Sequence, residues 1–332
     1  SNPTSNRATN QPTNQHMMKT GSFMYRLPTI LLLAHRAMSI PTHSAFVTMD
    51  SSLSSAQVNA RAKNAIIGSF VADAATMGLH WIYDDAKLTG LVGKRSPEFF
   101  EPPSSPFYQY ESGSLSPYGD EISTLLRSLA EHPQFDRETF AQESFRDAVT
   151  YKGRLNSVLK EFVTTMQKDG VDASKDTGSA SNTQGHGMVK APLVAARYAG
   201  SPAKNVVAVA KEAALVHQSL EEPVEISAVA ARVIELVILG RTPAEAVEES
   251  LEDCQLSQYA RAVFKDGLDF MEPDPISHFG KSCSLPGAFQ GAVSLMRDAT
   301  SYEEVMRKNI LAGGDSCSRA IWIGAVMGAA YG

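Results

Sequence analysis

The stretch that decides the fold is Leu311-Ala312-Gly313-Gly314-Asp315-Ser316-Cys317-Ser318-Arg319-Ala320-Ile321-Trp322-Ile323-Gly324-Ala325-Val326-Met327-Gly328-Ala329-Ala330-Tyr331. Two glycines end one helix, and Asp315-Ser316 can cap the next. The residues after this cap are apolar and dense in Gly and Ala, so this last helix can pack closely in the middle of a helical bundle. It is too short to cross a membrane, and no run of about 18 apolar residues exists elsewhere in the chain.

Working back along the chain, helical spacing recurs and strand alternation does not. Ile66 and Phe70, then Ile67, Val71 and Ala74, fall three and four residues apart. Leu125, Leu126 and Leu129 follow Gly119-Asp120-Glu121, while Val207, Ala210, Ala214 and His217 share one face. Val224, Ala228, Ala231 and Ile238 share another, and Tyr259, Val263 and Phe270 continue the pattern. Two loops interrupt the helices. Residues 96–118 hold five prolines and six aromatics, which exclude a helix and require a surface to pack on. Residues 169–187 are polar and rich in Ser, Asn and Gly, as functional loops often are. One all-α domain over 55–332 accounts for these signals.

The chain has 332 residues and a net charge of −6. Residues 1–49 contain no Asp or Glu but four basic side chains, Arg7, Lys19, Arg26 and Arg36, which leaves −10 on the remainder. An acid-free, hydroxyl-rich, basic leader has the composition of an organellar transit peptide, with Leu27 to Ala34 as a weak apolar region and a cleavage site between Ser39 and Phe46. An unstructured extension of 1–50, or a start at Met17, Met18 or Met49, is the alternative. In either case this segment is expected outside the fold, and the compartment is an organelle (plastid or mitochondrion) or else the cytoplasm. The acidic remainder argues against nucleic acid as partner, and no membrane association is expected. Three widely spaced cysteines, Cys254, Cys283 and Cys317, form no CxxC pair and no disulfide framework.

Candidate chemistry lies at two helix starts, Tyr118-Gly119-Asp120-Glu121 and Gly313-Gly314-Asp315-Ser316-Cys317-Ser318. Carboxylates there complement the helix dipole. Taken together they can also offer oxygen ligands to a hard cation, with helix N-termini beside them for a phosphate. His217, on an apolar face, fits a hydrogen-bonded core histidine. Cys317 is either a thiol activated by its helix N-terminus or a buried small side chain. Lys190 reads first as a solvated lysine.

In order along the chain, these motifs resemble those of the ADP-ribosylglycohydrolase family. Ala72-Asp73-Ala74 resembles that family's GDA, and Gly119-Asp120-Glu121 its TDD. Residues 185–193, Gly-His-Gly-Met-Val-Lys-Ala-Pro-Leu, are similar to GxGxxMRxxPL, displaced by about one residue. Residues 214–223 with His217 resemble the helix ending in TH, and residues 311–318 the NxGGDTDT ending. His80-Trp81-Ile82-Tyr83-Asp84 and the GGDSCSRA ending resemble most the branch that holds the lens J-crystallins and selenoprotein J. The resemblance implies a single orthogonal all-α bundle with a central cleft. It also implies cleavage of an ADP-ribose-type glycosidic bond, in a small molecule or an ADP-ribosylated substrate, with magnesium orienting ribose and water. Carried over residue by residue, it places metal ligands at Asp120, Glu121, Asp315, Cys317 and Ser318. Catalytic roles fall to Asp120, Glu121, Asp315 and His80, and ligand contacts to Gly185, His186, Gly187, Met188, Gly314 and Ser316. Only Asp120 and Asp315 keep the family's residue among the ligands. Gly119 lacks a side-chain oxygen, Cys317 offers soft sulfur, and His80 replaces a Glu. One weakly held magnesium is therefore expected in place of two, and a catalytically degenerate, J-crystallin-like binding or structural protein is the alternative.

Overall fold

The computed structural model describes residues 27–39, 53–132, 134–201, 205–297 and 299–332. Among them are fifteen α-helices: α1 Leu27–Ser39, α2 Ser55–Thr76, α3 Asp85–Val92, α4 Pro117–Glu131, α5 Arg137–Thr150, α6 Ser157–Met166, α7 His186–Tyr198, α8 Val206–Leu215, α9 Glu221–Ile238, α10 Pro243–Glu252, α11 Gln258–Asp269, α12 Pro275–Phe279, α13 Gly287–Arg297, α14 Tyr302–Leu311 and α15 Ser316–Tyr331. Three isolated bridges are the β-type pairing among the described residues. The fold is all-α, as the periodicity requires.

The centre is α2 against α15. A Cβ added at Gly68 would stand 2.2 Å from the carbonyl oxygen of Gly324, and one at Gly328 would stand 2.5 Å from that of Asn64. These glycines let the two backbones touch, so the small-residue stripe is the contact itself. Around this pair α7, α8 and α9 pack on one another, and Trp322 of α15 donates its indole N–H to the carbonyl of Ala230 in α9 at 3.1 Å. α2 starts cleanly because Ser54 and Gln57 form a reciprocal capping box. It ends through the 3-10 turn Met77–Leu79, after which His80 is extended and Trp81 takes φ +63°.

The N-terminal expectation needs correction. α1 lies on α2 and α4, with Ile30, Ala34 and Ala37 buried in the main core. Their spacing makes one helical face, and a lack of acidic residues does not prevent that face from packing. Residues 1–26 and 40–52, which carry the rest of that reading, lie outside the described residues. No helix among the described residues is long and apolar enough to cross a membrane.

Candidate functional site

The site forms where three chain segments meet: the end of α2 with residues 80–82, the start of α4, and the start of α15. Gly314 and Ile82 pair across an antiparallel bridge, with Trp81 N donating to Gly314 O and Gly314 N to Ile82 O, each at 2.8 Å. A second bridge, Gln184 to Ser284, and the bond from Gly185 N to Cys283 O at 2.9 Å bring the start of α7 to the same place. The polar loop before α7 is pinned too: Ser179 exchanges backbone bonds with His217 and Ser219, and the Thr177 hydroxyl donates to Val216 O.

Asp73 joins α2 to α4. Its carboxylate accepts from Ser116 N at 2.8 Å and from Ser116 Oγ at 2.5 Å, and Ser116 is the N-cap of α4. A Cβ at Gly119 would lie 2.1 Å from Asp73 Oδ2. The glycine in place of the family's threonine therefore makes room for this carboxylate. Burial raises the Asp73 pKa to about 7.

Asp315 is the N-cap residue of α15, yet its side chain makes no cap. Oδ1 accepts from Trp81 Nε1 at 2.8 Å and Oδ2 from the Ser318 hydroxyl. The turn at Trp81 is what aims the indole N–H there. His80 Nδ1 accepts from Cys317 N at 3.1 Å, which assigns the proton of the neutral ring to Nε2, 3.5 Å from Asp315 Oδ1. Burial lowers the His80 pKa to about 4, so the ring is neutral near pH 7. Arg319, one helical turn beyond Asp315, is fully buried; it donates to Asn309 Oδ1 at 2.8 Å and to Gly313 O at 2.6 Å. Cys317 is buried against the carbonyl of Asp73, and burial pushes its thiol well above the usual range. It is the packed small side chain, not an activated thiol.

Glu121 faces away from this group. Its Oε2 meets His186 Nδ1 at 2.6 Å, and its Oε1 accepts from Lys190 Nζ at 2.7 Å. Asn156 Nδ2 approaches Oε2 at 3.4 Å. Desolvation opposes its charge, but His186 and Lys190 outweigh that and hold its pKa well below the carboxylate range. Lys190 is 1% exposed and also donates to the carbonyl of His186 at 2.8 Å, so the solvated reading of this lysine is overturned.

Asp120 is the open carboxylate. Oδ2 accepts from the Tyr151 hydroxyl at 2.6 Å; Oδ1 is buried without a partner among the described residues. Burial raises its pKa to about 8. Asp120, Tyr151, Ser144 and His217 line a cavity of about 30 Å³, enough for roughly two waters. The Ser144 hydroxyl and both nitrogens of His217 likewise lack hydrogen-bond partners among the described residues, although His217 Nδ1 stands 3.6 Å from Glu121 Oε1. Burial, assisted by Lys190, drives the His217 pKa well below 6.5. His217 is thus a neutral cavity wall held edge-on between Phe162 and Phe140, and not a hydrogen-bonded core histidine. Tyr151 also meets Tyr110 through their hydroxyls at 3.3 Å, and Tyr110 stacks on Tyr108, so the aromatic loop packs onto the site.

These contacts decide whether magnesium fits. Of the five residues expected to ligate, Glu121 is saturated by Lys190 and His186. Cys317 is a buried thiol, and Asp315 and Ser318 are bonded to each other. Asp120 Oδ1 alone is open. A hard cation wants about six oxygens near 2.1 Å, so this set does not fit magnesium. Among the described residues, the group of three His, Cys, Asp or Glu whose ligand atoms all lie within 4.8 Å of one another is Glu131, His132 and Glu143. Glu131 is eleven residues beyond Asp120 on α4, about 16 Å along the helix.

Among the expected ligand contacts, Gly185 and His186 reach the site. Gly187 and Met188 do not, because a Cβ at Gly187 would meet Pro223 O at 2.4 Å and Met188 is core. Gly314 serves the backbone: its φ is +65° and Lys281 O lies 2.2 Å from where a Cβ would stand. Ser316 is buried behind the turn, its carbonyl bonded to Asn309. Trp81, Tyr151 and Arg319 were missed; the sequence carries no local signal for Tyr151.

The family model for ADP-ribosylglycohydrolase matches residues 54–332. The chain is 31% identical over 304 residues to crystallin J1A of Tripedalia cystophora, a match covering 84% of this chain and 90% of the crystallin. Crystallin J1B of the same organism is 30% identical over 303 residues, with the same coverage. A solved structure described as an ADP-ribosylglycohydrolase-related protein complex superposes with a TM-score of 0.67 at 18% identity, covering 83% of this chain and 89% of that one, which concerns the fold. The motifs, their order and their convergence on one cleft agree with these likenesses: the chain belongs to the ADP-ribosylglycohydrolase family.

Proposed function

We propose that the cleft binds an ADP-ribose-type ligand and hydrolyses its glycosidic bond, with Asp120 as the proton-transfer group. The observation that carries this reading is the single unpartnered oxygen of Asp120, beside a small, mostly apolar cavity with room for water. A carboxyl group with a pKa of about 8 can give or take a proton near neutrality. The Tyr151 hydroxyl fixes Oδ2, so the exchange falls on Oδ1. Asp315, oriented by hydrogen bonds to both of its oxygens, is suited to face the positive charge that develops on a ribosyl ring. His186, fully buried with its ring between Glu121 and Gln184, positions Glu121 and is not a ligand contact itself. No step is routed through magnesium.

The test is release of free ADP-ribose from O- and N-linked ADP-ribosyl compounds, followed by chromatography. Asp120→Asn should lower the rate by about 10²- to 10⁴-fold, the usual worth of a positioned acid or base. A second reading is a non-hydrolytic, crystallin-like protein that keeps the ligand cleft. Saturation of Glu121 and Asp315 by protein partners favours it. Ligand binding with no release from any linkage would decide for it.

A further inference from the structure

Five carboxyl groups sit buried around the cleft; Asp147 pairs with the partly exposed Arg127, and of the other four the chain answers two with fully buried cations of its own. Lys190 Nζ lies 2.7 Å from Glu121 Oε1, and the His186 carbonyl fixes it from the other side. Arg319 is fully buried one helical turn from Asp315, held there by Asn309 and Gly313. Each cation lies deep enough that it cannot swing out to water. Asp73 is bonded to the N-cap of α4 and Asp120 to Tyr151. Two fixed negative charges are therefore balanced by two fixed positive ones, and little field remains to draw in a divalent ion.

We propose that Lys190 and Arg319 are resident cations that take the place of divalent metal in this cleft, making its ligand binding metal-independent. Lys190 is the more direct of the two, because its ammonium lies on the carboxylate that would otherwise ligate. Removing it should vacate Glu121 and reopen the cleft to a hard cation. The inference rests on the cleft reading above only for what the ligand is; the cation exchange can be tested with metal alone.

The experiment is thermal denaturation of the full chain, first stripped with EDTA and then titrated with magnesium or manganese in the absence of other ligand. The wild type should show no saturable rise in Tm. Lys190→Ala should melt lower than wild type and gain a saturable rise with either ion. The double variant Lys190→Ala, Glu121→Gln should lose that gain, because the vacated carboxylate is then gone. If Lys190→Ala does not fold, Lys190→Met with Glu121→Gln removes both charges together, and the wild-type titration still decides. A saturable rise in the wild type that disappears in Asp120→Asn or Asp315→Asn overturns the proposal. A rise that survives both variants but is lost in Glu143→Gln places the ion at Glu131, His132 and Glu143, and upholds it. Adding ADP-ribose with and without magnesium separates the two readings: no ligand shift in either buffer, with the cation exchange intact, sinks the ADP-ribose reading and leaves this one standing, whereas a ligand shift seen only with magnesium overturns this one.

Discussion

Consider Gly119→Ala, which adds one methyl group at the start of α4. On an exposed helix this change stabilises by about 1 kcal/mol. Here the new Cβ would stand 2.1 Å from Asp73 Oδ2 and 3.0 Å from Leu115 Cβ. Leu115 can yield by a few tenths of an ångström; the carboxylate cannot move without giving up its two bonds from Ser116. Bonds to a charged group are worth about 1.5–3 kcal/mol each when removed, and overpacking adds about 1–3. After subtracting the helix gain, the net loss should be about 3–8 kcal/mol, the lower limit being roughly 6 °C in Tm for a domain of this size. The assay is a double-mutant cycle in urea with Asp73→Ala. In that background the obstacle is absent, and Gly119→Ala should be neutral or stabilising by about 1 kcal/mol. An equal loss in both backgrounds would refute the claim that Gly119 exists to seat Asp73.

Four further outcomes are expected. Lys190→Met strips the ammonium from buried Glu121 Oε1 and leaves only the His186 and Asn156 contacts on Oε2, so urea unfolding should show a loss of up to about 3–5 kcal/mol, part of it recovered by adding Glu121→Gln; a loss below about 1 kcal/mol would contradict the ion pair. Between their ordinary value of 3.8 and folded values of about 7 and 8, Asp73 and Asp120 keep protons that the unfolded chain releases. Stability should therefore fall as pH rises, most cleanly from about 7.5 to 8, where the unfolded histidines are mostly neutral as well, and Asp120→Asn should flatten that slope; a slope unchanged in the variant refutes the raised value. Iodoacetamide at neutral pH should modify the exposed Cys254 in the folded protein and leave Cys317 unmodified by mass spectrometry; rapid labelling of Cys317 would reverse its assignment as core. Trp81→Phe keeps the ring but removes the donor to Asp315, and should weaken ADP-ribose binding by about tenfold if that carboxylate's orientation matters; unchanged affinity in calorimetry would show that Ser318 alone suffices.

Much of the fold is written locally. The Gly and Ala run of α15 announces a close helix contact because only small residues permit it, and Gly68, Gly324 and Gly328 make that contact. The order of the motifs likewise survives translation into space: residues 73, 80, 119–121, 185–186 and 315–318 meet. What failed were readings that depend on a distant partner. Lys190 is polar in any local reading, and its burial follows from Glu121, far away in sequence. Asp315 has the position of a helix cap but gives its oxygens to Trp81 and Ser318, and the indole arrives only because residue 81 turns left-handed. Glu121 follows Asp120 directly, yet successive helical residues point about 100° apart, so one faces the tyrosine and the other the lysine. The apolar stretch in α1 has the composition of a leader, and its packing depends on grooves formed by α2 and α4.

A family cleft whose charge is balanced from within should take its ligand without added metal. Calorimetric titration of the full chain with ADP-ribose, once in EDTA and once in magnesium, tests this head-on. Binding of equal affinity in both buffers, weakened by Lys190→Met, is the expected result. Binding that occurs in magnesium and vanishes in EDTA would show instead that the cleft still depends on a divalent ion.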